Sequence, residues 1–190
     1  MIRAEPDRPQ TLGADLRALR KARGLRLAAL AAKLGRSVGW LSQVERDLST
    51  PSITDLRQIA GALGVPVSML FAHDAIPGEE AGYVVRKDSR RPLGSGRDGL
   101  IEELLSPDLT DDFEVVHSTF EPHRRIEEPL IRPTQEVGYL ISGRLELEIG
   151  RHRFTLHPGD SFRIRGEPFR WANPHDEPAV AIWVIAPPVY

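Results

Sequence analysis

Apolar positions recur three and four residues apart through roughly the first seventy residues, then alternate in short runs after about residue 83. Leu12, Leu16 and Leu19 form the stripe of a first helix, with Thr11 as N-cap and a stop near Gly24. Leu27, Leu30, Ala31 and Leu34 form a second, and Gly35-Arg36 ends it. Ser37 caps a third helix, in which Leu41 and Val44 point inward. Val38, Gly39, Trp40, Ser42, Gln43 and Arg46 are left on its outer side. After the polar turn Asp47–Pro51, Ser52-Ile-Thr-Asp55 opens a fourth helix with the form of a capping box. Its stripe is Ile53, Leu56, Ile59, Ala60 and Leu63, and Gly64 closes it. Pro66 starts a short fifth helix, with Met69, Leu70 and Phe71 packing back. A helix held by its back and presenting small, amide and cationic side chains has the geometry that enters a DNA major groove.

The second half predicts strands at Tyr83-Val-Val, Phe113–Phe120, Val137–Ile141, Leu145–Ile149, Phe154–Leu156, Phe162–Ile164, Phe169–Trp171 and Ala179–Ile185. Turn residues separate them: Ser142-Gly143, Gly150-Arg151, Pro158-Gly159-Asp160, Gly166-Glu167-Pro168 and Asn173-Pro174. Many short strands with close turns mean a sandwich or barrel. The expected organisation is a loose arm at 1–10, a DNA-binding domain at 11–72, a polar linker at 73–82 and a β domain at 83–190.

Charge sharpens this division. Residues 1–72 carry 11 Lys/Arg against 6 Asp/Glu, a balance of +5, while residues 73–190 carry 14 against 21, a balance of −7. The net charge of −2 therefore does not argue against a polyanionic partner for the first part. The chain has no cysteine, which rules out disulfides and thiolate metal sites. It shows no signal-peptide core at MIRAEPDRPQ and no apolar run near the ~18–20 residues of a membrane span. A cytoplasmic protein is expected.

The first half resembles the Cro and lambda-repressor (XRE) type of helix-turn-helix domain. The resemblance is carried by Leu16, Leu19-Arg20, Arg23-Gly24-Leu25, Leu30-Ala31, Gly35-Arg36-Ser37, Leu41 through Arg46, Pro51-Ser52 and Ile59 through Val65. It implies a bracing ion pair between Arg20 and Glu45. It also places the family's base-reading positions on Val38, Gly39 and Gln43, where Gly39 reads nothing but lets the backbone come close, with Ser37, Trp40, Ser42 and Arg46 near phosphates; Arg26, a departure from the family, is expected to contact phosphate as well. Gln43 suits adenine, and Val38 a thymine methyl. Trp40 either packs on the sugar–phosphate wall or lies over the turn before the fourth helix. Arg26 and Leu27 stand where many members place Ser or Thr and Gln, at the cost of a weaker cap.

The second half resembles the cupin family, through Glu136 to Gly143, Leu156-x-Pro-Gly-Asp160, Pro168 to Asn173 and Trp183 to Pro188. Helix-turn-helix domains joined to a C-terminal cupin form a recognised group of bacterial one-component regulators. The implied fold is multi-domain α + β: a five-helix helix-turn-helix bundle, then an all-β cupin (double-stranded β-helix) barrel. The family's metal-ligand positions fall on Leu130, Arg132, Glu136 and Phe169, and only the glutamate is a ligand type. No metal, cofactor or catalytic residue is therefore expected.

Alternation puts Arg132, Glu136, Phe169, Trp171 and Asn173 on inner faces, and His117 is expected to join them. Two readings of this set stand. It forms an effector pocket, with Arg132 holding a carboxylate and Glu136 an amine of an amino acid or related amino-carboxylate; or Arg132 and Glu136 pair inside a filled barrel. The expected function is a sequence-specific transcriptional regulator, a repressor. It dimerises through the cupin domain on a palindromic duplex and answers to a small-molecule effector through Ala72–Gly82. The rival is a cupin metalloenzyme with an accessory DNA-binding domain.

Overall fold

The computed structural model describes residues 11–65, 67–70, 80, 82–93, 98–107, 109 and 111–189. The arm at 1–10, Pro66, Phe71 and linker residues 73–79 and 81 lie outside them. The chain divides into two compact units, one from Met1–Arg90 and Pro107–Thr110, the other from Arg91–Ser106 and Asp111–Tyr190.

Among the described residues the first unit holds four α-helices: α1 (Leu12–Ala22), α2 (Leu27–Lys33), α3 (Val38–Val44) and α4 (Ile53–Leu63). The expected fifth helix is a single 3-10 turn over Val67–Leu70, too short to close α-helical hydrogen bonds, although Met69 and Leu70 are buried as foreseen. Caps form where the side chains favour them. Thr11 Oγ1 accepts from Ala14 N, Ser37 Oγ from Trp40 N, and Ser52 with Asp55 completes a reciprocal capping box. Arg26 makes no side-chain cap at α2.

Leu16, Leu19, Leu30, Leu41, Val44, Ile59 and Leu63 build the core. Ile53 does not join it: as the first residue of α4 it precedes the buried stripe and is 62% exposed. At Gly13, an added Cβ would stand 2.4 Å from the Val44 carbonyl oxygen, so α1 and the end of α3 meet backbone to backbone. Asp47, at a positive φ of 57°, accepts from Gly13 N at 2.9 Å and Thr11 Oγ1 at 2.6 Å, which fastens that junction. Leu109 is buried in the same unit, and its amide donates to the buried Asp15 carboxylate at 3.4 Å.

Among the described residues the second unit holds ten antiparallel strands. They are β1 (Arg91–Leu93), β2 (Leu100–Leu104), β3 (Glu114–Phe120), β4 (Arg124–Arg125), β5 (Gln135–Ser142), β6 (Leu145–Ile149), β7 (His152–Leu156), β8 (Ser161–Arg165), β9 (Phe169–Asn173) and β10 (Ala179–Ala186). Six form one sheet in the order β1-β2-β3-β10-β5-β8, and four another, β4-β9-β6-β7. The strand expected at Tyr83-Val-Val is a turn followed by irregular chain, with Tyr83 72% exposed.

The inner faces supply one core: Phe120 edge-on to Trp171 at 4.8 Å, and Phe162 edge-on to Trp183 at 4.7 Å. Gly138 makes room for the second pair. A Cβ there would stand 2.0 Å from the tip of the Phe162 ring.

Candidate nucleic-acid interface and barrel cavity

α3 is held from behind. Leu41 and Val44 are buried, and Glu45, just past its end, receives both Nε (2.6 Å) and Nη2 (2.8 Å) of Arg20. Arg20 also donates Nη1 to the Leu25 carbonyl at 2.8 Å, so all three bonds of the fork tie α1 to the helices that follow. The Glu45 hydrogen bond raises the Arg20 pKa above its ordinary value. This is the bracing pair that the family resemblance implied.

The opposite side of α3 is open. Val38, Gly39, Gln43 and Arg46 are exposed, as are Arg26 and Ser37, while Ser42 and Trp40 are half-buried. Arg46 Nε donates back to the Ser42 carbonyl at 3.1 Å, which lays the guanidinium along the helix end. Trp40 lies beneath a cation: the Arg36 guanidinium carbon is 5.1 Å from its ring centroid. The eight expected DNA-reading residues therefore fall on α3, its flanks and the start of α2.

In the barrel, Arg132, Glu136, Phe169 and Trp171 line one cavity, as expected. Its other walls are Leu100, Glu102, Phe120, Leu130, Trp183 and Ile185. The free space between them is small, about 20 Å³. No ion pair joins Arg132 to Glu136 among the described residues; Glu136 accepts a 2.6 Å bond from Thr134 Oγ1 instead. The other Glu136 oxygen and the indole N–H groups of Trp171 and Trp183 are buried without a protein partner.

Two of the six expected effector residues belong elsewhere. His117 is on the outer face of β3: Glu114, Val116, Ser118 and Phe120 take the buried register, so the period of two turns His117 away. It pairs across the sheet with Glu103, Nδ1 3.8 Å from the carboxylate. Asn173 is fully buried, but its amide is used: Nδ2 donates to the Phe120 and Glu177 carbonyls, and Oδ1 accepts from His175 N. It braces the turn into β10.

Sequence reasoning missed the two other carboxylates beside Arg132. Glu102, on β2, is pushed up by burial, against the pull of Arg132 and a 3.4 Å bond from Ser118. Glu114 is pushed up by burial to about 7, against a 3.1 Å bond from Val189 N and the pull of Arg132. Arg132 thus shares the cavity with Glu102 and Glu136, and its charge reaches Glu114. Alternation of β3 put Glu114 in register with Val116 and Phe120, a signal that could have found it. Glu102 left no such trace, because LIEEL reads as a polar segment.

The cupin metal positions hold Leu130, Arg132 and Phe169 beside Glu136, and these do not fit a divalent ion. Among the described residues no group of three or more His, Cys, Asp or Glu is arranged to hold one. No described helix is long and apolar enough to cross a membrane.

Residues 11–70 match the helix-turn-helix domain family, and residues 116–185 the cupin domain family. Over 98 residues the chain is 40% identical to the HTH-type transcriptional regulator DdrOP3 of Deinococcus deserti, covering 52% of this chain and 70% of that one. Over 165 residues it is 25% identical to the HTH-type transcriptional regulator PuuR of Escherichia coli (strain K12), covering 85% and 86%. Over 80 residues it is 35% identical to the immunity repressor protein of Bacillus phage phi105, covering 42% of this chain and 56% of the repressor's length. With its α1–α4 unit and its β-barrel matched by these two families, the chain belongs to the XRE-type helix-turn-helix transcriptional regulators that carry a C-terminal cupin domain.

Proposed function

We propose that the protein is a homodimeric repressor that reads a palindromic duplex through α3 and answers to a small amino acid or amino-carboxylate in its cupin barrel. The observation that carries the DNA reading is a recognition helix locked at its back by Arg20–Glu45, with Val38, Gly39, Gln43 and Arg46 exposed at its front. One such helix spans few base pairs. Two of them, about 34–36 Å apart, read a two-fold site and multiply specificity.

A second copy has a surface to meet. On the outer face of the six-stranded sheet, Val137, Tyr139 and Ile141 of β5 and Val184 of β10 are 41–49% exposed, and Val184 lies directly opposite Val137. An apolar patch of this kind favours association. In the cavity, Arg132 supplies the cation for a carboxylate, and Glu136 and Glu102 line the place for an amine. The free space there is about 20 Å³, so an effector has to displace side chains as it enters.

The DNA reading is tested by selecting duplexes from a random-sequence pool with wild-type protein. Gln43→Ala is expected to relax preference at one position in each half of the selected site, by about 1–3 kcal/mol per position. Arg46→Ala is expected to weaken all duplexes alike and to lower the salt slope by about two, one for each subunit. A wild type that selects nothing overturns the role of α3. For the effector, a melting screen against amino acids and amino-carboxylates should raise the barrel transition. Arg132→Met should abolish that shift, and a flat screen overturns the sensing role.

A further inference from the structure

We infer that Arg36 is a positioning residue that fixes Trp40 and the leading turn of α3, and through them the choice between duplexes, rather than a clamp on phosphate. The inference rests on the DNA-reading role proposed for α3. Arg36 sits in the turn before α3, next to the cap Ser37. A cation beside a recognition helix is ordinarily counted as a phosphate contact. Here its charge is already engaged on two sides.

Arg36 Nη2 is 2.5 Å from Asp55 Oδ1. Asp55 is buried and is itself fixed by the capping box at the start of α4: Ser52 N and Oγ donate to its other oxygen, and its own amide donates to Ser52 Oγ. The anchor therefore belongs to the rigid frame. From it, the guanidinium lies over the Trp40 ring at 5.1 Å, inside the range in which a cation and an indole attract. A line of contact runs from α4, through Arg36, to the third residue of α3.

Trp40 is the bulkiest side chain on that side of α3, between the small Gly39 and the buried Leu41. Whatever sets its ring sets how close the helix can come to the groove wall. Holding the ring before DNA arrives spares the complex that ordering cost and penalises duplexes whose groove does not match. The planar fork is what allows one side chain to bind a carboxylate and stack on an indole together; a lysine ammonium does neither job in the same way.

The test uses the full-length protein, a duplex selected by wild type from a random-sequence pool, and a shuffled duplex of the same composition. Affinities for both are measured across a salt series for wild type, Arg36→Met, Arg36→Lys, Trp40→Leu and the double variant Arg36→Met/Trp40→Leu. Circular dichroism confirms folding. Both Arg36 variants should cut discrimination between the two duplexes by roughly threefold to tenfold with the salt slope unchanged. The double variant should fall no further than the worse single one.

The inference is overturned if Arg36→Met lowers the slope by about 1.8, about 0.9 for each subunit, with discrimination intact and Arg36→Lys restores it, the behaviour of a phosphate contact. Unchanged discrimination in both variants overturns it equally. Should Arg36→Met not fold, Arg36→Lys decides: lost discrimination supports positioning, and wild-type behaviour refutes it. A wild type that selects no duplex overturns the role of α3 and this inference together. A wild type that selects, with Arg36 acting only through the salt slope, overturns this inference alone.

Discussion

Arg20→Met is expected to destabilise the helical unit by about 3–5 kcal/mol, because it leaves the Glu45 carboxylate buried and uncompensated. Both partners are nearly enclosed, with side chains only 11% and 6% exposed, so water cannot take over the lost bonds. The Leu25 carbonyl loses its partner in the same substitution. A unit of this size has total stability of the same order. The helical transition should therefore fall far below that of the wild type in a melt followed by circular dichroism, while the barrel transition keeps its place. Arg20→Lys should recover only part of the loss, since an ammonium cannot reproduce the two parallel bonds to Glu45. DNA selection should disappear with the helical transition, although Arg20 faces away from the reading side of α3.

The second large effect belongs to the barrel and depends on pH. Burial holds Glu114 at about 7, well above the ordinary glutamate value of 4.5. Between those values the folded chain binds a proton that the unfolded chain has released. Stability is thus full below pH 4.5, declines as pH rises towards 7, and levels off above it. Glu114→Gln cannot ionise and should remove this decline. At pH 8 the variant is expected to be more stable than wild type by as much as about 3 kcal/mol. At pH 4.5 the two should coincide. The Gln carbonyl can still accept from Val189 N, so the bond at the end of the chain survives the exchange. Denaturant titrations at the two pH values check the sign: a variant less stable than wild type at pH 8 would show that the Glu114 charge is stabilised by Arg132 more than it is penalised by burial.

The helical unit was legible because its physics is local. Stripes at three- and four-residue spacing, Thr11, Ser37 and Ser52 as caps, and glycines at helix ends all act within one turn of chain. The fifth helix failed for the same reason: four residues cannot show a period. In the barrel, β5 to β10 were legible from alternation and turn chemistry. β1, β2 and β4 were not, being short, or in β2 carrying a glutamate on the inner face where the pattern calls for an apolar residue.

The error at His117 was one of phase. Both registers of Glu114–Phe120 carry valine, and only the sheet decides that Glu114, Val116, Ser118 and Phe120 turn inward. The cavity was half legible. Arg132, Glu136, Phe169 and Trp171 followed from the cupin blocks, while Glu102 comes from a strand far earlier in the chain, and only tertiary pairing brings it to the cavity. Asn173 was placed on the correct face, but its hydrogen bonds to Phe120, Glu177 and His175 show that an inward amide can belong to the frame.

The placement of the three tryptophans has an experimental consequence. Trp40 stands half-open on the recognition helix, whereas Trp171 and Trp183 are enclosed in the barrel and border its cavity. The chain thereby carries intrinsic optical reporters of both its events. Emission from Trp40, isolated by difference against Trp40→Phe, follows the approach of a duplex, and the redder or bluer colour of the enclosed indoles follows what enters the barrel, with no label attached.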